Sequence, residues 1–101
     1  MDECAFDAAM MRIDVRVRDE VGYNATRFLQ MLHDHRGLET ARILVNATQP
    51  SEGYTALWEL GRLDLTVEAL VLQPEWQSLF AEEPEFLDRA RRRLADYRYK
   101  G

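Results

Sequence analysis

Ile13, Val15 and Val17 alternate with Asp14, Arg16 and Arg18, and all three apolar residues of the run are β-branched. Alternation of apolar and polar residues marks a half-buried strand, and β-branched residues favour one. A strand, however, needs a neighbour to take up its backbone N–H and C=O groups. With no second candidate, the longer period decides. Phe6, Met10, Ile13, Val17 and Val21 follow one another at spacings of 4, 3, 4 and 4, one stripe of a helix. The chain is therefore expected to be all-α.

Stop and start signals divide the rest. Gly22 is expected to end the first helix and Asn24 to cap a second, whose buried face is Phe28, Leu29 and Leu32. Arg36-Gly37 reads as a stop, a cation in the last turn followed by a residue free to take left-handed φ. A third helix then runs from Leu38 to about Ala47, through Ala41, Leu44 and Val45, ending on the approach to Pro50. Ser51 caps a fourth, with Leu57, Trp58 and Leu60 as its apolar weight. Gly61-Arg62-Leu63-Asp64-Leu65-Thr66 follows as a glycine stop, a short connection and an N-cap supplied by Asp64 or Thr66, with Leu63 and Leu65 plugging the junction.

Val67, Leu70 and Val71 face inward on the next helix. Pro74 opens a short helix holding Trp76, Leu79 and Phe80, and Pro84 opens the last one, with Leu87, Ala90, Leu94 and Tyr97 on one face. The expectation is a single compact domain over residues 1–101, a bundle of five or six short helices with residues 1–4 and 99–101 frayed.

Composition narrows the function classes. Of the residues, 47% are apolar and 31% charged, the balance of a globule rather than a disordered chain. Apolar runs such as Ala69 to Leu72 fall far short of the roughly 20 residues that span a bilayer. The first residues carry acids before any arginine, unlike a secretory signal, and Cys4 is the only cysteine. A cytoplasmic protein without membrane contact is expected. Charge is uneven: residues 1–87 hold sixteen acids and seven arginines, a net −9, whereas residues 88–101 hold six bases and two acids, a net +4. Cations near the end of a last helix suit its dipole.

Candidate chemistry is sparse. After Gly61 a DNA-reading helix would present Leu65-Thr66-Val67-Glu68-Ala69-Leu70-Val71, apolar and acidic where base edges and phosphates need polar or basic side chains. His33 and His35 lie two residues apart, which on a helix points them about 200° away from each other and prevents a shared metal. No phosphate-binding glycine loop and no nucleophile with a base beside it is visible. No catalytic residue, metal or cofactor is expected, and the protein reads as a non-enzyme. Trp58 and Trp76 are candidates for core or for partner anchors, core being the better reading of each. Arg89, Arg92 and Arg93 on the last helix are the candidates for phosphate contact, with Tyr97 and Tyr99 available to stack on bases.

Several stretches taken together, Gly22-Tyr23-Asn24-Ala25-Thr26-Arg27-Phe28-Leu29-Gln30-Met31-Leu32, Ser51-Glu52-Gly53-Tyr54-Thr55-Ala56-Leu57-Trp58-Glu59, Gly61 through Leu72, Leu79-Phe80 and Ala90-Arg91-Arg92-Arg93-Leu94, resemble a widespread group of small bacterial proteins of unassigned activity. The resemblance runs from about Phe6 to Tyr97. Where those proteins often have two glycines before the third helix, this chain has Arg36-Gly37. The resemblance implies a bacterial helical domain and carries no catalytic residue. The leading expectation is thus a small interaction or regulatory protein acting through a protein partner, with homo-oligomerisation open. The alternative is an accessory nucleic-acid binder using the arginine-rich last helix.

Overall fold

The computed structural model describes residues 3–97, and among them every regular element is helical. The order is α1 (Glu3–Arg16), a π-helical turn (Val17–Val21), α2 (Thr26–Asn46), α3 (Glu52–Glu59), a 3-10 turn (Leu63–Leu65), α4 (Val67–Val71), a 3-10 segment (Pro74–Phe80) and α5 (Pro84–Asp96). The alternating patch at residues 13–17 is helical: Val17 is buried and Val15 exposed. Gly22 closes the π turn at φ 70°, its N–H bonded to the Arg18 carbonyl. Of the ends expected to fray, residues 1, 2 and 99–101 lie outside the described residues. Glu3 and Cys4 form the first turn of α1, with Cys4 exposed.

α2 is the spine, packed against α1, α4 and α5. It departs from the sequence reading in three ways. Asn24 does not cap it; Ala25 holds the cap position without a side-chain hydrogen bond. Leu29 points outward, so Leu32 rather than Leu29 carries the buried face. Most importantly, the helix does break where the sequence places a stop, but Gly37 is not the left-handed residue. Two helical segments, 26–35 and 37–46, meet at a kink at Arg36, which sits at φ 67°, ψ −179°. That region of backbone space belongs almost entirely to glycine, at a cost of order 1–3 kcal/mol for other residues.

Asp7 on α1 accounts for the break. Its Oδ2 accepts from Arg36 Nε and Nη2 at 3.2 and 2.9 Å, and its Oδ1 accepts from the Gly37 N–H at 2.6 Å. Gly37 is needed for closeness: a Cβ there would stand 2.5 Å from Asp7 Oδ1 and 3.1 Å from Asp7 Cα. The hydroxyl of buried Thr40 donates to the Met31 carbonyl across the break. Arg42, one turn on, forks onto Glu83 with two bonds of 3.0 Å and fixes α2 to the start of α5.

The main core gathers Phe6, Met10, Ala41, Val71, Phe80 and Ala90. Phe6 meets Trp76 and Phe80 edge-on at 5.3 and 5.6 Å, and Phe80 stacks on Phe86 at 4.8 Å. The Cα radius of gyration is 12.5 Å, near the roughly 13 Å of a packed 100-residue domain.

The Gly61–Thr66 stretch behaves as the sequence reads. Gly61 lies at φ 73°, and the Gly61 and Arg62 N–H groups bond back to the Trp58 and Leu57 carbonyls, the two-bond closure of a glycine-ended helix. Leu65 then enters one small apolar cluster with Val17 and Leu57, and Leu63 another with Tyr54 and Leu94. Thr66 is the cap: its hydroxyl accepts from the Ala69 N–H at 3.2 Å and donates to the Leu63 carbonyl at 2.7 Å. Asp64 instead holds Arg62, which also reaches Glu20 at 2.8 Å. Hydrogen bonds from Arg16 and then Arg62 hold the Glu20 carboxyl down to about 2.

Two mutational series follow from these roles. Gly37→Ala should cost about 2–3 kcal/mol, through overpacking against α1, whereas Arg36→Gly should leave stability unchanged or raise it by up to about 1 kcal/mol as backbone strain is released. Urea denaturation reads both. At the other junction, Gly61→Ala has open space for its methyl and should cost only the left-handed backbone penalty, roughly 1 kcal/mol. Thr66→Ala should cost about 1–2 kcal/mol and Asp64→Ala distinctly less, because Asp64 joins only a surface ion pair.

Candidate functional site

Among the described residues two depressions stand out. The larger of these is a cleft of about 570 Å³, whose walls come from the end of α1 and its π turn, both ends of α2, α3 and the start of α4. That volume lies within the range of ligand pockets, roughly 300–1,000 Å³. Each wall is placed by a feature already described. The π turn brings Val17 and then Tyr23 to the rim, and π-helical turns recur at functional sites. Ser51 accepts from the Tyr54 N–H at 3.1 Å and so starts α3 with Tyr54 and Leu57 turned inward. Leu65 and Thr66 supply the floor between them.

The lining is mainly apolar, with Ile13, Val17, Phe28, Met31, Leu44 and Leu57 prominent, and it includes two buried acids, Asp14 and Glu68. Their surroundings differ. Glu68, its side chain 4% exposed, meets Arg93 Nη1 at 2.9 Å. Burial pushes the Glu68 carboxyl above the ordinary glutamate range, against the opposing pull of the first-turn backbone and Arg93. Asp14, its side chain 7% exposed, has a single hydrogen bond among the described residues, from Arg18 Nη1 at 3.4 Å.

Arg93 is the most heavily used of the arginines that the sequence singles out. Beyond Glu68, its guanidinium donates to the Leu44 carbonyl at 3.0 Å and to the Ala47 carbonyl. Its own carbonyl accepts from the Tyr54 hydroxyl at 3.1 Å, and its guanidinium carbon lies 6.0 Å from the Tyr54 ring centre. Burial, and then the charge of Glu68, push the Tyr54 hydroxyl well above its ordinary range.

The second depression is shallower, about 420 Å³, and Arg89, Arg92 and Arg93 all line it, together with Asn46, Asp96 and Tyr97. The three predicted arginines are therefore neighbours, although only part of their charge is available. Arg89 donates to Asn46 Oδ1 at 2.8 Å, Arg91 on an outer face holds Asp88 at 2.8 Å, and Arg92 makes no ion pair among the described residues. Arg98, Tyr99 and Lys100 lie outside the described residues.

The tryptophans separate. Trp76 is buried against Phe6, and its indole N–H has no hydrogen-bond partner among the described residues. Trp58 is 44% exposed beside Leu60, 51% exposed, and meets Tyr97 edge-to-face at 5.2 Å. The reading of Trp58 as core is corrected: α3 has eight residues, and its inner face is filled by Tyr54 and Leu57. His33 and His35 are exposed, and no group of three potential metal ligands exists among the described residues.

Sequence reasoning passed over Asp14, Tyr54 and Glu68. One signal was present: Phe6, Met10 and Asp14 follow at steps of four, which puts a charge on the inner stripe of α1. Comparison with protein-family models, curated proteins and solved structures gives no match. No helix among the described residues is long and apolar enough to cross a membrane.

Arg93 should be structural. Arg93→Gln leaves Glu68 buried without its cation and should cost about 3 kcal/mol at neutral pH. Because burial raises the folded-state pKa of Glu68, the stability it allows is full below the unfolded value and is lost as the pH rises through the folded one. The deficit of the variant should therefore shrink as the pH falls toward the ordinary glutamate value, about 4.3. Chemical denaturation of both proteins at a series of pH values reads this directly.

Proposed function

We propose that the protein is a small binding module, without catalytic activity of its own, which acts by engaging a protein partner at the cleft between α1, α2, α3 and α4. The observation that supports this is the cleft itself: about 570 Å³ of mainly apolar space kept open in a chain of 101 residues. A chain this short gains stability by filling such space, so an unfilled apolar cleft is better accounted for by an occupant than by folding. Ile43 is exposed on the cleft wall, and Trp58 and Leu60 are exposed at the end of α3, apolar surface of the kind partners cover. The setting that goes with this reading is the cytoplasm of a bacterium, as a regulatory or adaptor protein. Self-association is one form it can take.

The alternative, nucleic-acid contact through α5, is favoured by one observation, the shared depression lined by Arg89, Arg92 and Arg93. Against it stand the internal bonds of Arg89 and Arg93 and the net −9 of residues 1–87, which repels a polyanion.

Co-purification from host cells tests the first reading. Ile43→Trp, which puts bulk into the cleft from an exposed position, should abolish recovery of a partner held by the native protein, with its melting temperature little changed. Equal recovery with Ile43→Trp would overturn the cleft reading. For the second reading, Arg93 must be spared, so the informative change is Arg89, Arg91 and Arg92 to glutamine together. The native protein should bind single- or double-stranded nucleic acid no more tightly than roughly 10⁻⁴ M at physiological salt. A salt-sensitive sub-micromolar complex lost in that triple variant would instead establish the alternative.

A further inference from the structure

The identity of the group that enters the cleft follows from Asp14, and rests on the reading that a partner segment occupies this site. Asp14 sits on the inner stripe of α1 between Ile13 and Val17, and all three line the cleft. A carboxylate in that position, its side chain 7% exposed, has given up most of its water and gains from donors in exchange. It offers two oxygens with about four acceptor positions. One long hydrogen bond is all it receives among the described residues, 3.4 Å from Arg18, whose own side chain is 51% exposed.

The other acids in the helix junctions are better supplied. Asp7 takes three donors at 2.6 to 3.2 Å, and Glu68, on the same cleft, has Arg93 at 2.9 Å. Arg27, the one cation of the lining, is exposed and pairs with no acid among the described residues. Asp14 is therefore the acid with acceptor capacity to spare, and apolar side chains flank it on the side open to the cavity. The complement is a cation carried on an aliphatic stem. An ammonium on four methylenes has the right form, since its three donors can converge on the carboxylate while the stem lies along Ile13, Val17 and Leu57. An anionic group would meet Asp14 and exposed Glu52 in the same lining. The excess of acids over residues 1–87 draws basic segments and repels acidic ones.

We propose that the cleft receives a lysine side chain flanked by apolar residues, from a segment of a protein partner, with Asp14 as its counter-ion.

Three capped tripeptides test this by titration into the isotopically labelled protein, followed through backbone amide shifts: acetylated and amidated Leu-Lys-Leu, Leu-norleucine-Leu and Leu-Glu-Leu. The lysine peptide should bind about tenfold more tightly than the norleucine peptide, the advantage expected of a charge-assisted hydrogen bond in a sheltered site. The shifts should centre on residues 13–17 and on α3. In Asp14→Asn that advantage should fall below twofold while norleucine binding stays as it was, and Asp14→Glu should keep the preference. Arg18→Gln, at a half-exposed position, removes the competing donor and should strengthen lysine-peptide binding several-fold, a result that does not depend on the folding of Asp14→Asn. Equal binding of the lysine and norleucine peptides, a lysine preference that survives in Asp14→Asn, tighter binding of the glutamate peptide, or no binding of any of the three would each overturn the assignment. None of these decides whether the cleft holds a partner, because that is read separately from the effect of Ile43→Trp on co-purification.

Discussion

One guanidinium joins four helices. Arg93 extends from α5 to the carbonyls at the end of α2 and to Glu68 at the start of α4, and its own carbonyl receives the Tyr54 hydroxyl of α3. A cation this enclosed, with 12% of its side chain exposed, is costly to desolvate and is tolerable because its partners are charged or strongly polar acceptors. It also answers two needs of the backbone. The last carbonyls of α2 have no partners within their own helix, and Arg93 supplies donors to one of them, Leu44, and to the capping residue Ala47 that follows. The positive charge suits that end of the helix dipole as well.

The electrostatics of the cleft depend on this arrangement. Glu68 and Asp14 are carboxylates on one cavity, and without Arg93 the first would be an uncompensated charge in an apolar setting. Arg93 takes up Glu68 from behind the cleft wall and leaves Asp14 with a single long contact to Arg18. The asymmetry gives the cleft a polar end and an apolar body. It also commits the most enclosed arginine of α5 to the interior of the fold rather than to its surface.

The site was less legible in the sequence than the fold. Arg89, Arg92 and Arg93 stand out as a basic run, and they do come to one depression, but spacing along a helix does not tell which arginine meets a buried acid twenty-five residues away. Asp14 looked like the polar half of an alternating patch, although its step of four from Met10 places it on the inner stripe. The exposure of Trp58 had no local signal. It depends on Tyr54 and Leu57 filling the inner face of an eight-residue helix first.

By itself the sequence determined the helical class, because its β-branched alternating patch also lies on the longer helical stripe from Phe6 to Val21. It also determined most junctions whose cause is local: Gly22 and Gly61 at positive φ, Ser51 and Thr66 as caps, Pro74 and Pro84 opening their segments. Each of these depends on backbone freedom or on a side chain within three residues, which is information that neighbouring letters contain. Gly37 shows the limit of such reading. The helix does break at this point, yet the left-handed residue is Arg36, and Gly37 serves the close approach of α1 with Asp7 across the gap. Only the packing of residue 7 against residue 37 decides that, as only the approach of α5 to α4 decides the fate of Glu68. Both depend on contacts between distant parts of the chain, whose geometry is set by how whole helices fill the space between them.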